Sequence, residues 1–218
     1  MWLLFIGLLI IIIFMHEMGH LISAKMVGCG VEKFSIGFGK PICSKKICGT
    51  VYQVTPWLFG GYCALEGECA INDSPSAFSN LRYRNKVIMI TAGCAINIIT
   101  GLIALGLVNY MHIESYALWL FGQLSLWLGI TNLIPFPALD GSYPILVWLE
   151  KFMGKERGYA LMGKIVGVGF VILMALNIAS VGFLLWIYRY DILLKFIDIL
   201  WIILSWATQL AATGVTVG

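Results

Sequence analysis

The chain has 218 residues, 60% hydrophobic and 11% charged, where soluble globular domains run near about 45–50% and about 25%. Fourteen bases and eleven acids cannot coat a water-facing fold, and the mean hydropathy of +0.91 agrees, so a soluble domain is excluded and the lipid bilayer is the expected solvent. A net charge of +3 is too small to argue for nucleic acid as a partner, and the placement of the basic residues carries more information than their sum.

Apolar spans run over 1–24, 87–111, 116–139, 164–188 and 192–213, each near or above the roughly 20 residues a bilayer core demands. The first is apolar from residue 1, without a basic flank or a small-residue cleavage site, and reads as a retained helix rather than a removable signal peptide. Residues 25–86 are polar, Gly-rich and carry β-formers in FSIGFG and TVYQVTPW, which predicts a small sheet or hairpin. The last span carries Asp198, and whether it crosses the bilayer, lies along it or packs beside the bundle stays open. Trp186, Tyr188 and Tyr190 have the composition of an interfacial belt, and Asn97 and Thr100 that of helix-to-helix glue. The expected fold class is an α-helical polytopic membrane protein: a bundle of about 4–5 transmembrane helices, with the β element between the first and second. One domain over 1–218 is expected, divided into a first helix at 1–24, a β region at 25–86, helices over 87–188 and a hydrophobic segment at 189–218.

Lysine and arginine orient these spans. Eight lie in 25–86 and four in 142–164, leaving only Arg189 and Lys195 elsewhere, so the positive-inside rule places both loops in the cytoplasm and the N-terminus outside. Five of the six cysteines fall in 25–86 without a CxxC pair, which fits reduced cytosolic thiols better than a zinc ribbon.

His16-Glu17-Met18-Gly19-His20 is an HExxH motif inside the first span. At i and i+4 the two imidazoles stand one above the other on a helix face, a spacing suited to one zinc ion with Glu17 as base. Three ionisable groups in one turn of a lipid-embedded helix call for a compensating ligand. Fifteen residues at ~1.5 Å each set His16 about 22 Å into a core roughly 30 Å thick, nearer the cytoplasmic face.

Catalytic zinc takes a third protein ligand and keeps one position open. Ser23 and Met26 stand where the extended HExxHxxGxxH motif has its glycine and third histidine, and His112 lies on the other side of the membrane. Among the acids, Glu32, Glu66, Glu68, Asp73, Glu150 and Glu156 lie in polar loops, Glu114 lies outside and Asp191 and Asp198 come late, which leaves Asp140, in Asn132-Leu133-Ile134-Pro135-Phe136-Pro137-Ala138-Leu139-Asp140-Gly141, where two prolines and a glycine break the helix at the expected depth. The competing role for Asp140 is to cap a short helix starting near Pro144.

With HEMGH and NLIPFPALDG both in hand, the sequence resembles the site-2 protease family of intramembrane zinc metalloproteases. VEKFSIGFGK, GTVYQVTPWLFGGY and RNKVIMITAGCAIN resemble the membrane-associated β-loop and second helix of its bacterial sigma-regulating branch. The resemblance implies one Zn2+ per chain on His16, His20 and Asp140, Glu17 as the catalytic base, and Asn132 in contact with substrate. It also implies a single-span transmembrane protein as substrate and a prokaryotic cell membrane as the setting. An edge strand within 34–62 is expected to hold the unwound substrate, with Gly37 and Gly39 permitting close approach, against ordinary turn chemistry for both glycines. Two departures stand out. Gly93-Cys94-Ala95-Ile96-Asn97 replaces the usual Gly-Pro-x-x-Asn, and the outer loop at about 112–115 is too short for a PDZ domain. The rival reading is a non-catalytic metal-binding membrane scaffold or pseudoprotease; against it, all four site residues are present and no transporter-like paired repeat is seen.

Overall fold

A computed structural model describes residues 2–68, 73–158, 160–176, 178–180, 182, 183 and 186. The first helix, α1 (Trp2–Met26), is a proline-free Leu/Ile run. It stops at Gly28, whose φ of +78° suits glycine, while Cys29 N–H donates to the Ala24 carbonyl at 2.8 Å and Gly28 N–H to that of Lys25. These two bonds satisfy carbonyls that the helix end leaves open.

The β region is a four-stranded mixed sheet rather than a lone hairpin. It comprises β1 (Val31–Phe38), β2 (Cys43–Ile47), β3 (Thr50–Val54) and β4 (Trp57–Leu65), in the order β2-β3-β1-β4. β1 runs parallel to β3, with Lys33 opposite Val51, and antiparallel to β4, with Phe34 opposite Cys63. The exposed β2 and the chain-distal β4 are the two edges.

Three helices follow: α2 (Tyr83–Tyr110), α3 (Tyr116–Asn132) and α4 (Tyr143–Met153). Leu21, Ala24, Phe34, Phe78, Met89, Ile90 and Val147 form the core, so α1, β1, α2 and α4 share one apolar centre. Phe78 and Met89 are almost wholly buried, each worth about 1.5–3 kcal/mol.

α2 and α3 approach through small residues, the packing mode that serves where lipid removes the hydrophobic drive between helices. A Cβ on Gly129 would lie 2.9 Å from the Cys94 carbonyl oxygen, and one on Gly101 would lie 2.8 Å from Leu126 N. Ser125 Oγ donates to the Asn97 carbonyl at 2.9 Å, tying the same faces.

Among the described residues three helices are long and apolar enough to cross a membrane: Leu3–Met26, Tyr83–Tyr110 and Lys155–Ser180. The third expected span, 116–139, is helical only to Asn132 because Pro135 and Pro137 cannot continue the ladder. Its 17 residues reach about 25 Å, less than a bilayer core of about 30 Å. The helix of the expected fourth span begins at Lys155, nine residues before the expected 164. The expected span 192–213, with Tyr188 and Tyr190, lies outside the described residues. The chain divides into two compact units, 1–169 and 170–218, and the first holds every element labelled above.

One ion pair fastens α2 to α4. Lys86 Nζ lies 2.9 Å from Glu150 Oε2, with the lysine side chain buried and the glutamate largely so, and the ammonium also sits 5.1 Å from the centre of the Phe78 ring. Breaking a buried pair strands a charge, at a cost of about 3–5 kcal/mol, whereas replacing both partners with apolar residues is often neutral. Glu150→Ala therefore lowers the thermal midpoint of the detergent-solubilised protein sharply, and the double change Lys86→Met, Glu150→Leu recovers most of the loss.

Candidate metal centre

α1 presents His16 and His20 on the face turned toward α2, and the crossing there is made by glycines on both helices. A Cβ on Gly19 would lie 2.7 Å from the Ala92 carbonyl oxygen, and one on Gly93 would overlap the His20 ring and come within 2.9 Å of His16 Cε1. Without these two glycines the helices could not close around the imidazoles.

The third group arrives from the segment after α3. Leu133 and Ile134 N–H still donate backward to Ile130 and Thr131, tightening the helix end, and the chain then turns through Pro135 and Pro137. Ala138 adopts φ +77°, a left-handed conformation that a residue with a Cβ holds only under strain from its surroundings. A Cβ on Gly141 would overlap the Leu133 carbonyl, so glycine is what lets the turn fold back on the end of α3. Asp140 is then delivered to the histidines. Its Oδ2 lies 2.9 Å from His16 Nε2 and 3.3 Å from His20 Nε2, while the two Nε2 atoms are 3.3 Å apart. The competing capping role has no hydrogen bond behind it: Ser142 is the N-cap of α4, and no side chain caps that helix.

This triangle can be tested against zinc by geometry. Ligand bonds of about 2.0–2.1 Å at tetrahedral angles put neighbouring ligand atoms about 3.3–3.4 Å apart. Two edges match, and the third, 2.9 Å, has to open by about 0.4 Å. All three ligand atoms lie within 4.8 Å of one another, and the donor set of two imidazoles and a carboxylate suits zinc with one position left open. His20 Nδ1–H donates to the Met89 carbonyl at 2.9 Å, which leaves the lone pair on Nε2.

A cavity of about 390 Å³ opens beside the triangle and is lined by Glu17, by Gly60 to Cys63 of β4, by Asn132 and by Tyr143. Glu17 packs against β4, where a Cβ on Gly61 would lie 2.9 Å from its Cγ. Asn132, the last residue of α3, has Nδ2 3.4 Å from His16 Nε2. Gly37 and Gly39 are placed differently from the expectation. Gly37 is on the interior strand β1, where an added Cβ would lie 2.6 Å from Thr55 Oγ1 and 2.7 Å from the Trp57 carbonyl oxygen. Its φ of +89° falls where the β1–β4 register shifts between Ile36 and Phe38, and Gly39, at +106°, follows the end of β1; a central strand paired on both sides has no edge to offer.

Three participants escaped the sequence reading. Cys94 Sγ–H donates to Asp140 Oδ2 at 3.5 Å, and Asn97 Nδ2 lies 3.2 Å from His16 Nδ1. Glu68, set aside as a loop acid, lines the cavity and accepts from Leu65 N–H at 3.2 Å; burial pushes its carboxyl above the usual carboxylate range. The remnant Gly93-x-x-x-Asn97 spacing was the available signal for Asn97, since i and i+4 share a face.

Residues 4–114, just over half of the chain, match the profile of peptidase family M50. The chain belongs to peptidase family M50. Relatives named "Putative zinc metalloprotease" agree: one from Chlamydia trachomatis is 32% identical over 48% of this chain, and one from Neisseria meningitidis 34% over 47%. Another, from Clostridium acetobutylicum, is 32% identical over 53%. The matches cover only 18%, 24% and 33% of those relatives, so this M50 chain spans a minor part of their length. The M50 match contains His16, Glu17, His20 and Asn97; Asp140 and Asn132 fall beyond it and join the centre by geometry.

The thiols of the β region divide by burial. Burial pushes Cys29 and Cys63 up to about 12, whereas Cys43 and Cys48 are exposed on the sheet's outer hairpin. Since the thiolate is the nucleophile, Cys29 and Cys63 stay protonated at pH 7 and react only as the solution approaches their raised values. Mass spectrometry after brief maleimide treatment at pH 7 should find label on Cys43 and Cys48 and little on Cys29 or Cys63.

Proposed function

We propose that this chain is the catalytic core of an intramembrane zinc endopeptidase that cuts a transmembrane segment of a single-span membrane protein. The observation that carries this reading is the convergence of His16 and His20 Nε2 with Asp140 Oδ2, beside Glu17, on a helix apolar enough to span a bilayer. His16, His20 and Asp140 would hold one zinc, which when bound would supply Lewis acidity toward the scissile carbonyl and make water easier to deprotonate. Glu17 takes the proton of the attacking water as the new C–O bond forms and then delivers it to the amine, which leaves as the peptide C–N bond breaks. Asn132 donates from its amide to the substrate backbone or to the oxyanion.

A transmembrane helix hides its peptide bonds, so the segment must unwind before it can be cut. The freed N–H and C=O groups then need partners in a medium without water. β4 suits that role by strand addition: it is an edge of the sheet, and its Gly60 to Cys63 line the cavity that holds Glu17. The role first assigned to Gly37 and Gly39 passes to this strand. The same reading takes a bundle of four to five spans as one domain, with the N-terminus outside and the centre nearer the cytoplasm, on the strength of the basic loops.

Purified protein should hold about one zinc per chain, lost in a His16→Ala, His20→Ala variant. Glu17→Gln keeps the metal yet loses cleavage by about 10²–10⁴-fold, and Asp140→Asn weakens zinc by about tenfold or more. Elemental analysis beside cleavage of a tagged single-span substrate separates these outcomes; full turnover by Glu17→Gln would refute the assignment of the base. Topology is checked on intact cells. An impermeant maleimide should spare Cys43 and Cys48 until the membrane is opened, and labelling from outside would reverse the orientation.

A further inference from the structure

We propose that Asn97 is the positioning residue of the metal centre: its side-chain oxygen accepts the Nδ1–H of His16 and holds that ring in the tautomer whose Nε2 lone pair faces His20 and Asp140. The inference rests on reading the His16, His20 and Asp140 triangle as a zinc site, and it assigns the outer support of one ligand.

Asn97 is wholly buried on α2, one turn beyond Gly93, with its amide against the His16 ring. Nδ2 lies 3.2 Å from His16 Nδ1, while Oδ1 is buried without any hydrogen-bond partner. In that orientation the amide donates to Nδ1, so the ring proton sits on Nε2 and points at Asp140 Oδ2, 2.9 Å away. A protonated Nε2 has no lone pair for a metal.

The two ends of a carboxamide have nearly the same shape and are told apart only by their partners. Exchanging them turns the orphaned Oδ1 onto Nδ1, where it accepts the proton, and frees Nε2. His20 is already held in the matching tautomer by the Met89 carbonyl, so both rings then present Nε2 to the same point. The Asn97 backbone is fixed independently, since its carbonyl accepts from Ser125 Oγ at 2.9 Å and Thr100 Oγ1 at 3.3 Å. The side chain is therefore left to the imidazole alone. A ligating histidine commonly gives its second N–H to such an acceptor, and removing that acceptor costs about 10–100-fold in metal affinity.

The test uses the full chain purified in detergent, with zinc affinity measured by competition against a chromogenic chelator. Asn97→Leu keeps the volume but not the acceptor and should bind zinc about 10–100-fold more weakly; Asn97→Asp keeps an acceptor and should stay close to wild type. Wild-type affinity in Asn97→Leu, or equal weakening in both variants, overturns the proposal. Nitrogen-15 NMR of histidine-labelled, zinc-loaded protein gives a readout that does not depend on the leucine variant folding. The His16 Nδ1 proton should be present in wild type and shift downfield in Asn97→Asp as a carboxylate replaces an amide oxygen; an absent or unmoved proton overturns it. A wild-type chain that binds no zinc overturns the metal site itself, whereas normal zinc binding with indifferent Asn97 variants overturns the inference alone.

Discussion

A polar side chain in the middle of an apolar helix has no water to turn to, and every packing choice around α1 follows from giving His16, Glu17 and His20 partners inside the protein. α2 supplies the Met89 carbonyl and the Asn97 amide, the broken segment after α3 supplies Asp140, and β4 covers Glu17. Partners at 2.9–3.3 Å require backbones closer than ordinary side chains permit. Gly19, Gly93 and Gly61 sit at those approaches, where an added Cβ would meet backbone or a site residue. Lost side-chain contact at these glycines is offset by the hydrogen bonds that the approach allows.

The same constraint explains why α3 is short. A full-length third span would carry its C-terminal residues past the histidines as regular helix, with the side chains fixed at helical spacing. Ending at Asn132 and turning through Pro135 and Pro137 brings a carboxylate back toward α1. Backbone freed from the helix ladder at that depth must be buried in protein or face a wet cavity. Ala138, strained at φ +77°, and Asp140 both border the cavity, so the irregular stretch forms part of its lining.

Legibility in the sequence follows the range of the interaction. His16 and His20 are four residues apart, so one helical period reveals them, and Pro135 and Pro137 mark a break that any helix must make. The β-formers of FSIGFG and TVYQVTPW announced a small sheet or hairpin in 25–86, yet strand order depends on contacts distant in sequence, and these placed Gly37 on an interior strand and β4 at the edge. Asn97 read as helix glue because an amide on a spanning helix has the same appearance whether it meets a serine or an imidazole. Its backbone carbonyl does take the Ser125 hydroxyl, while its side chain goes to His16. Glu68 looked like a loop acid for the same reason: only the fold of β4 toward Glu17 brings it to the cavity.

Charge gives the cavity its character. Glu17, Glu68 and Asp140 share it with two imidazoles, so with neutral rings three negative charges would stand together out of water. Such a set is not sustained in a low-dielectric setting without compensation. Burial answers part of it by holding Glu68 above the usual carboxylate range, toward its neutral form. Asp140 differs: two imidazole nitrogens lie 2.9 and 3.3 Å from its Oδ2, and the zinc proposed for these three groups would meet its charge. Glu17 has no hydrogen-bond partner among the described residues and lines the cavity beside β4, the position from which the proposed base would meet an attacking water. The three chemically alike acids thus differ in what each one faces: the Leu65 N–H for Glu68, two imidazole nitrogens for Asp140, and β4 beside the cavity for Glu17.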